Sequence, residues 1–448
     1  MSGSSTFPAK GLGQTGVYGT EGVAATSNVP GGRNSSVSWT DSSSNLWLFG
    51  GNGVDAAGTY GGLNDLWEFN PTAKEWTWLS GSNTANAKGS YGTQGVAAIG
   101  NVPGSRDSSV GWIDDSGNLW LFGGSGVDSS GYNGLLNDLW EFNPAAKTWT
   151  WVSGSIPSNT QVGQTGTYVG PTGIYGTLGV AAASSVPGGR YGSVGWADNS
   201  GNLWLFGGDG YDSIGTEGYL NDLWEFNSTA KTWTWVSGSS TANAPGEYGT
   251  LGSAATTNIP GGRENAVRWI DSSGNLWLFG GVGSNATILN DLWEFSPTSK
   301  AWTWVSGSNT ANANSVYGTL GTPSTANIPG ARYSAVSWID KSGNLWLFGG
   351  EYLSNGTYES LNDLWEFSPT TKAWTWVGGS STANATGVYG TLGTPSSANV
   401  PGARWVAVSW VDGSGNFWLF GGNYTADAGT VDVDFNDLWR YPRQNPAR

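Results

Sequence analysis

The chain has 448 residues, 18 basic and 33 acidic side chains, a formal charge of −15, and neither cysteine nor histidine. Without cysteine there are no disulfides, thiolate metal sites or cysteine nucleophiles, and without histidine the commonest general base and transition-metal ligand is gone. The charge makes a nucleic-acid backbone or an anionic membrane a poor partner, and no apolar run approaches the roughly 18 residues of a membrane-spanning helix, so no membrane insertion is expected.

Residues 1–32 read as a linker that contains Tyr18-Gly-Thr and leads into Pro30-Gly-Gly-Arg33. From Arg33 an alternating stretch runs to Trp39. An Asp-x-Ser-x-Asn turn follows, then Leu46-Trp47-Leu48-Phe49-Gly50-Gly51, a variable loop, Asn64-Asp65-Leu66-Trp67-Glu68-Phe69, an Asn-Pro turn and Trp76-Thr77-Trp78. Four short apolar or aromatic runs divided by turn residues, with no helical period, predict four β-strands. Leu46 to Phe49 is apolar on both faces, as suits an inner strand covered on both sides. Trp76 and Trp78 share one face with Thr77 on the other, which suits an outer strand with one wet side. In Asp271-Ser-Ser-Gly-Asn275 the Gly and Asn suit a tight hairpin.

The unit then repeats. Phe-Gly-Gly occurs with its Phe at 49, 122, 206, 279, 348 and 420, spaced by 73, 84, 73, 69 and 72 residues. Four strands per unit and six units predict an all-β, six-bladed β-propeller, a single closed toroid over residues 1–448 with blades starting near 33, 106, 190, 263, 332 and 404. The two ends leave the last blade short. Met1-Ser-Gly-Ser-Ser-Thr aligns with Val236-Ser-Gly-Ser-Ser-Thr, which directly follows Trp233-Thr-Trp235, whereas Asn436 to Tyr441 is a third strand and Pro442 to Arg448 has no Trp-x-Trp. The last blade is therefore expected to lack its fourth strand within this chain. Either the chain is a trimmed form of a longer protein, or the open edge pairs with another chain.

The Gly-Gly pair closing the second strand, the Asn-Asp-Leu-Trp-Glu-Phe third strand and the following Trp resemble the kelch repeat over residues 1–448. Kelch units are usually nearer 50 residues, so the surplus is expected in loops. With Tyr-Gly-Thr and Pro-Gly-x-Arg, the combination looks like long bacterial kelch-repeat proteins of the galactose-oxidase-like central-domain superfamily. The copper chemistry implied for some of those relatives needs histidine ligands and a Cys-Tyr cross-link, and this chain has neither His nor Cys. No cofactor is expected.

The 29 tryptophans suggest sugar stacking, but 28 recur at fixed places in the repeat and read as packing between blades. Trp405 alone falls outside. It follows Arg404 at the position held by Asn34, Asp107, Tyr191, Glu264 and Tyr333 in the other units, at the start of the innermost strand and so near the mouth of the central channel. These six form the candidate ligand-binding ring. Arg33, Arg106, Arg190, Arg263, Arg332 and Arg404 recur with Asp65, Asp138, Asp222, Asp291, Asp363 and Asp437, which suggests one structural ion pair per blade, with Glu68, Glu141, Glu225, Glu294 and Glu366 nearby in sequence. Asp55, Asp128 and Asp212 lie in Gly-x-Gly-x-Asp loops and are read as turn residues, with calcium as the alternative; no metal is expected.

The second-to-third-strand loops and the inter-blade linkers are long and emerge on one side, which makes that face loop-rich, with Ile156 to Gly173 its largest insertion. The leading functional expectation is a non-catalytic extracellular or cell-surface propeller that binds a protein or glycan or serves as a structural scaffold. Low lysine, abundant Gly, Ser, Thr, Asn and Trp and the missing cysteine resemble secreted bacterial surface proteins, although residues 1–20 contain no signal peptide. Two alternatives stand beside it. One is a self-assembling, strand-exchanging surface subunit that partners with itself through the open blade edge. The other is a sialic-acid-epimerase-like enzyme, implied by fold analogy, using the channel-mouth carboxylates Glu264 and Asp107.

Overall fold

The computed structural model describes residues 13–155, 170–354, 356–426 and 431–442. Most of the Ile156 to Gly173 insertion, the aligned segment from Met1 and the end beyond Pro442 lie outside the described residues. In the first blade the innermost strand is split into Arg33–Asn34 and Val37–Thr40 and pairs with Leu46–Val54; that strand pairs with Tyr60–Asn70, and Tyr60–Asn70 with the outermost strand Glu75–Ser80. Every pairing is antiparallel, and the next three blades repeat this order. The fifth blade has four strands, from Val336–Ile339 to Ala373–Gly378, and the sixth has three: Val408–Val411, Phe417–Phe420 and Leu438–Tyr441. The architecture is an all-β, six-bladed propeller whose sixth sheet is one strand short among the described residues.

The segment after Phe-Gly-Gly, expected as a variable loop, is mostly strand. In the third blade pairing continues from Gly208 with Leu220 out to Tyr211 with Glu217, so only a short turn around Asp212 to Thr216 remains. The interruption is a bulge between Phe206 and Gly208, where Gly207 and Gly208 have φ of 63° and 98°. A Cβ on Gly207 would stand 2.7 Å from the Arg263 carbonyl oxygen of the next blade and 2.9 Å from that of Leu220. The glycine pair thus allows a close approach between blades, and it also hides the strand alternation that follows it.

Three interactions repeat around the toroid. Trp39 Nε1 donates to the Trp120 carbonyl of the next blade, and the same bond runs from Trp112 to Trp204, Trp196 to Trp277, Trp269 to Trp346, Trp338 to Trp418 and Trp410 back to Trp47, at 3.0–3.3 Å. At the innermost strands the Ser108 amide donates to the Ser35 carbonyl, and the chain of bonds passes through Gly192, Asn265, Ser334 and Val406 until the Ser35 amide donates to Val406. All six residues of this closed ring have positive φ, including the β-branched Val406 at 46°, a conformation it holds only because its neighbours enforce it. Third, apolar clusters fill the gaps between blades. The first fourth-strand tryptophan enters each of five gaps, as where Trp149 packs against Phe49 with ring centroids 5.5 Å apart.

The outer strands are not left open. The linker before each of the first five blades folds over that blade's fourth strand, with the Gly22 amide donating to the Trp78 carbonyl and Ala25 bridging Trp76. Beneath it, Arg33 donates to both oxygens of Asp65 at 2.7 Å, and Tyr18 and Trp67 add bonds to Oδ2 at 2.6 and 2.7 Å. The same four-residue cluster recurs in all six blades, at Asp138, Asp222, Asp291, Asp363 and Asp437. The nearby glutamates are not in it. Glu68 lies three residues from Asp65, hence on the opposite face of the strand, and its counterparts meet turn asparagines or lysines, as Glu141 meets Asn118 and Lys231. Cutting the buried pair with Asp222→Ala is expected to lower unfolding stability by about 3–5 kcal/mol, because Arg190 stays buried without its partner. Lys231→Ala, which removes an exposed pair at 3.4 Å, should cost about 1 kcal/mol or less. Urea unfolding compares the two, and equal losses would contradict the assignment.

Candidate functional site

Strand alternation sets the channel mouth. Each arginine turns into its blade, so the next residue turns to the opposite side. Asn34 donates to Asp434 Oδ1 of the last blade at 2.8 Å and to the Tyr60 hydroxyl at 3.3 Å, while Asn52, its register partner, donates to Asp107 Oδ2 of the second blade at 2.8 Å. Tyr191 faces Asp209 Oδ2 at 3.5 Å and acts on Glu264 across the blade boundary. Tyr333 donates to Glu351, and the Trp405 ring stands edge-on to it with centroids 5.9 Å apart. The structure therefore brings Tyr191 to Glu264 and Tyr333 to Trp405, and joins Asn34 and Asp107 to their neighbours through Asp434 and Asn52.

Several members of the site come from segments the sequence presents as loop: Asp209, Glu351, Asn423 and Asp434, with Tyr60 and Tyr358 beside them. One signal could have found some of them. The residue after Phe-Gly-Gly is Asn52, Ser125, Asp209, Val282, Glu351 or Asn423, varying as the ring does directly after an invariant Phe-Gly-Gly.

The site concentrates acid in a partly dry place. Burial, reinforced by Asp209, pushes the Glu264 carboxyl up to about 8 against the opposing hydrogen bond from Tyr191. Burial likewise raises Asp107, opposed by its bonds from Ser108 and Asn52, and raises Asp209, which also feels Glu217. The carboxylate acting on Glu264 is thus Asp209 of the third blade, whereas Asp107 is engaged with Asn52 and Ser108. Glu264 Oε2, Asp209 Oδ1, Trp405 Nε1 and Asn423 Oδ1 are buried without a hydrogen-bond partner.

The three Gly-x-Gly-x-Asp aspartates perform another task. Asp55 Oδ1 accepts the Ala57 and Thr59 amides and Oδ2 the Ala85 amide; Asp212 repeats this with Ile214, Thr216 and Ala242, and Asp128 Oδ1 accepts from Ser130, Gly131 and Tyr132. These carboxylates hold turns. Among the described residues no group of three or more acidic side chains is placed to hold a metal ion.

No protein-family model and no curated protein matches the chain. Among solved structures it is similar to one titled "Structure of YjhT", with a TM-score of 0.54 and 16% sequence identity, covering 92% of this chain and 95% of that one. A likeness at that identity carries the propeller fold alone. Among the described residues no helix is long and apolar enough to cross a membrane.

The carboxyl of Glu264 predicts a pH dependence of stability. The folded state keeps its proton to about pH 8, while the unfolded chain releases it near the ordinary value of 4.5. Its contribution is complete at acid pH and is lost as pH rises through that window. Glu264→Gln cannot ionise, so its melting temperature should exceed that of the unsubstituted protein by a few degrees at about pH 9 and approach it at about pH 5. Scanning calorimetry at both pH values checks this, and a difference that does not change with pH would contradict it.

Proposed function

We propose that the protein is a carbohydrate-binding propeller that holds a neutral glycan at the mouth of its central channel. The four partnerless buried polar atoms beside an aromatic pair carry this reading. An unpaired buried polar group costs about 1–3 kcal/mol, and sugar hydroxyls can donate to the Asp209 carboxylate and the Asn423 amide oxygen, accept from the Trp405 indole N–H, and exchange a hydrogen bond with the protonated Glu264 carboxyl. The Trp405 and Tyr333 rings supply the apolar surface that a sugar face packs on. The surrounding carboxylates, with the overall charge of −15, disfavour an anionic sugar. The kelch resemblance in the repeat motifs and the composition of a secreted protein support placing this module outside the cell or in its envelope.

A sugar-transforming activity at the same mouth is the second reading. Glu264, protonated up to about pH 8 beside Asp209, has the character of a general acid next to a base. Glycan-array screening followed by calorimetry separates these possibilities. Binding of a neutral glycan that weakens at least tenfold in Trp405→Ala, with the sugar recovered unchanged, is the expected result. Recovery of a converted sugar selects the second reading, and binding indifferent to Trp405→Ala removes the mouth from both.

A further inference from the structure

A second position varies inside an otherwise fixed strand. The innermost strand reads Val-x-Trp in all six blades, with x as Ser38, Gly111, Gly195, Arg268, Ser337 or Ser409. Val37 and Trp39 pack into the gap toward the second blade, beside Leu119 and Trp140, so Ser38 turns to the opposite side.

The serine hydroxyls show where that side leads. Ser38 donates to the Ser409 carbonyl at 3.3 Å, Ser409 to that of Ser337 at 3.0 Å, and Ser337 to that of Arg268 at 2.9 Å. Each bond joins one x position to the x position of the preceding blade, so these positions form a belt around the axial channel. In the second and third blades the belt has no room for a side chain: a Cβ on Gly111 or Gly195 would stand 2.2 or 2.4 Å from the Cγ1 of Val37 or Val110 in the preceding blade. Only the fourth blade puts a charge there.

That charge is held unlike the others. Each of the six repeat arginines meets its aspartate at 2.6–2.8 Å, whereas among the described residues no carboxylate and no hydrogen bond acts on the Arg268 guanidinium. Burial alone pulls it down to about 10. Glu264 precedes it by four residues, roughly 13 Å along an extended strand, but answers to Asp209 and Tyr191 and not to Arg268. Part of the Arg268 surface nevertheless remains accessible, and for a group enclosed among six blades that surface opens on the channel.

The structure assigns an oxyanion site to the axial channel, in which the Arg268 guanidinium grips two oxygens of a small anion. A buried charge without a partner is costly, and the guanidinium fork of N–H donors matches two oxygens held on one centre. Inorganic phosphate and a simple carboxylate share that chemistry. The net charge of −15 opposes an anion only from a distance, where salt screens it beyond about 10 Å at 0.1 M, while the guanidinium contact is direct. The site lies deeper in the channel than the mouth residues and uses none of them, so it does not depend on the glycan reading.

The probes are sodium phosphate and, separately, sodium acetate, titrated calorimetrically into the whole chain against sodium chloride at the same ionic strength. One anion per chain is expected for at least one of the two, with the melting temperature raised by about 2 °C at about ten times the dissociation constant. The tighter of the two names the class. Arg268→Gln should lose affinity at least tenfold, yet melt no lower than the unsubstituted protein in oxyanion-free buffer, because it gives up no partner. Binding of neither anion at about 10 mM, binding unchanged in Arg268→Gln, or an equal rise with sodium chloride overturns the assignment. A variant that melts well below the unsubstituted protein before any oxyanion is added reveals a partner within the chain and also overturns it.

Discussion

The fold depends on a guanidinium fork held by one carboxylate in each blade. A buried ion pair is stable only when the remaining hydrogen-bonding capacity of both ions is met, and here that requirement recruits the whole repeat. Asp65 takes two bonds from Arg33, one from Tyr18 and one from Trp67, while Arg33 also reaches the carbonyls of Gly31 and Gly50. Burial alone would raise Asp138, Asp291 and Asp437, but the adjoining guanidinium and the hydrogen bonds from the tyrosine and tryptophan together outweigh it and hold them below the usual carboxylate range. Linker, innermost strand, Phe-Gly-Gly bulge and third strand must therefore be in register together, and a slip in any of them leaves a charge unpaired.

This division of labour explains where function can reside. The arginine is fixed, and the next residue, pointing the other way, carries no part of the blade's packing. Six such positions are brought around one axis by the ring of amide bonds from Ser35 to Val406, so residues hundreds of positions apart, such as Asn34 and Asp434, meet at 2.8 Å. The repeat makes the walls alike and leaves the mouth free to be asymmetric, with an amide and a carboxylate in the first two blades and, in the other four, aromatic rings interleaved with the carboxyl groups of Asp209, Glu264 and Glu351. The sixth blade breaks the symmetry at the rim instead, because its apolar gap lacks the tryptophan that enters the other five.

Much of this was legible in the chain. The strand count, the number of blades, the short sixth sheet and the partnership of Arg33 with Asp65 follow from period and alternation, which are local. The hairpin arms were not legible, because Gly207 and Gly208 break the alternation where pairing resumes. Asp209 was signalled only by the variability of its position after Phe-Gly-Gly, and Asp434 not at all, because its place in the site depends on register beyond the bulge. Pairing Glu264 with Asp107 treats the ring as if all its members touched; spacing around the axis instead sets Glu264 beside its nearer neighbour, Asp209.

The sequence by itself determined a toroid of six similar sheets, because a pattern repeated in register can bury its aromatic faces only against copies of itself. It also determined which residues the repeat leaves unconstrained. Tertiary structure decided which of those meet, how far burial raises the Glu264 carboxyl, and that no carboxylate among the described residues acts on Arg268. Such properties depend on distance and desolvation between separate blades, and no spacing along one chain encodes them.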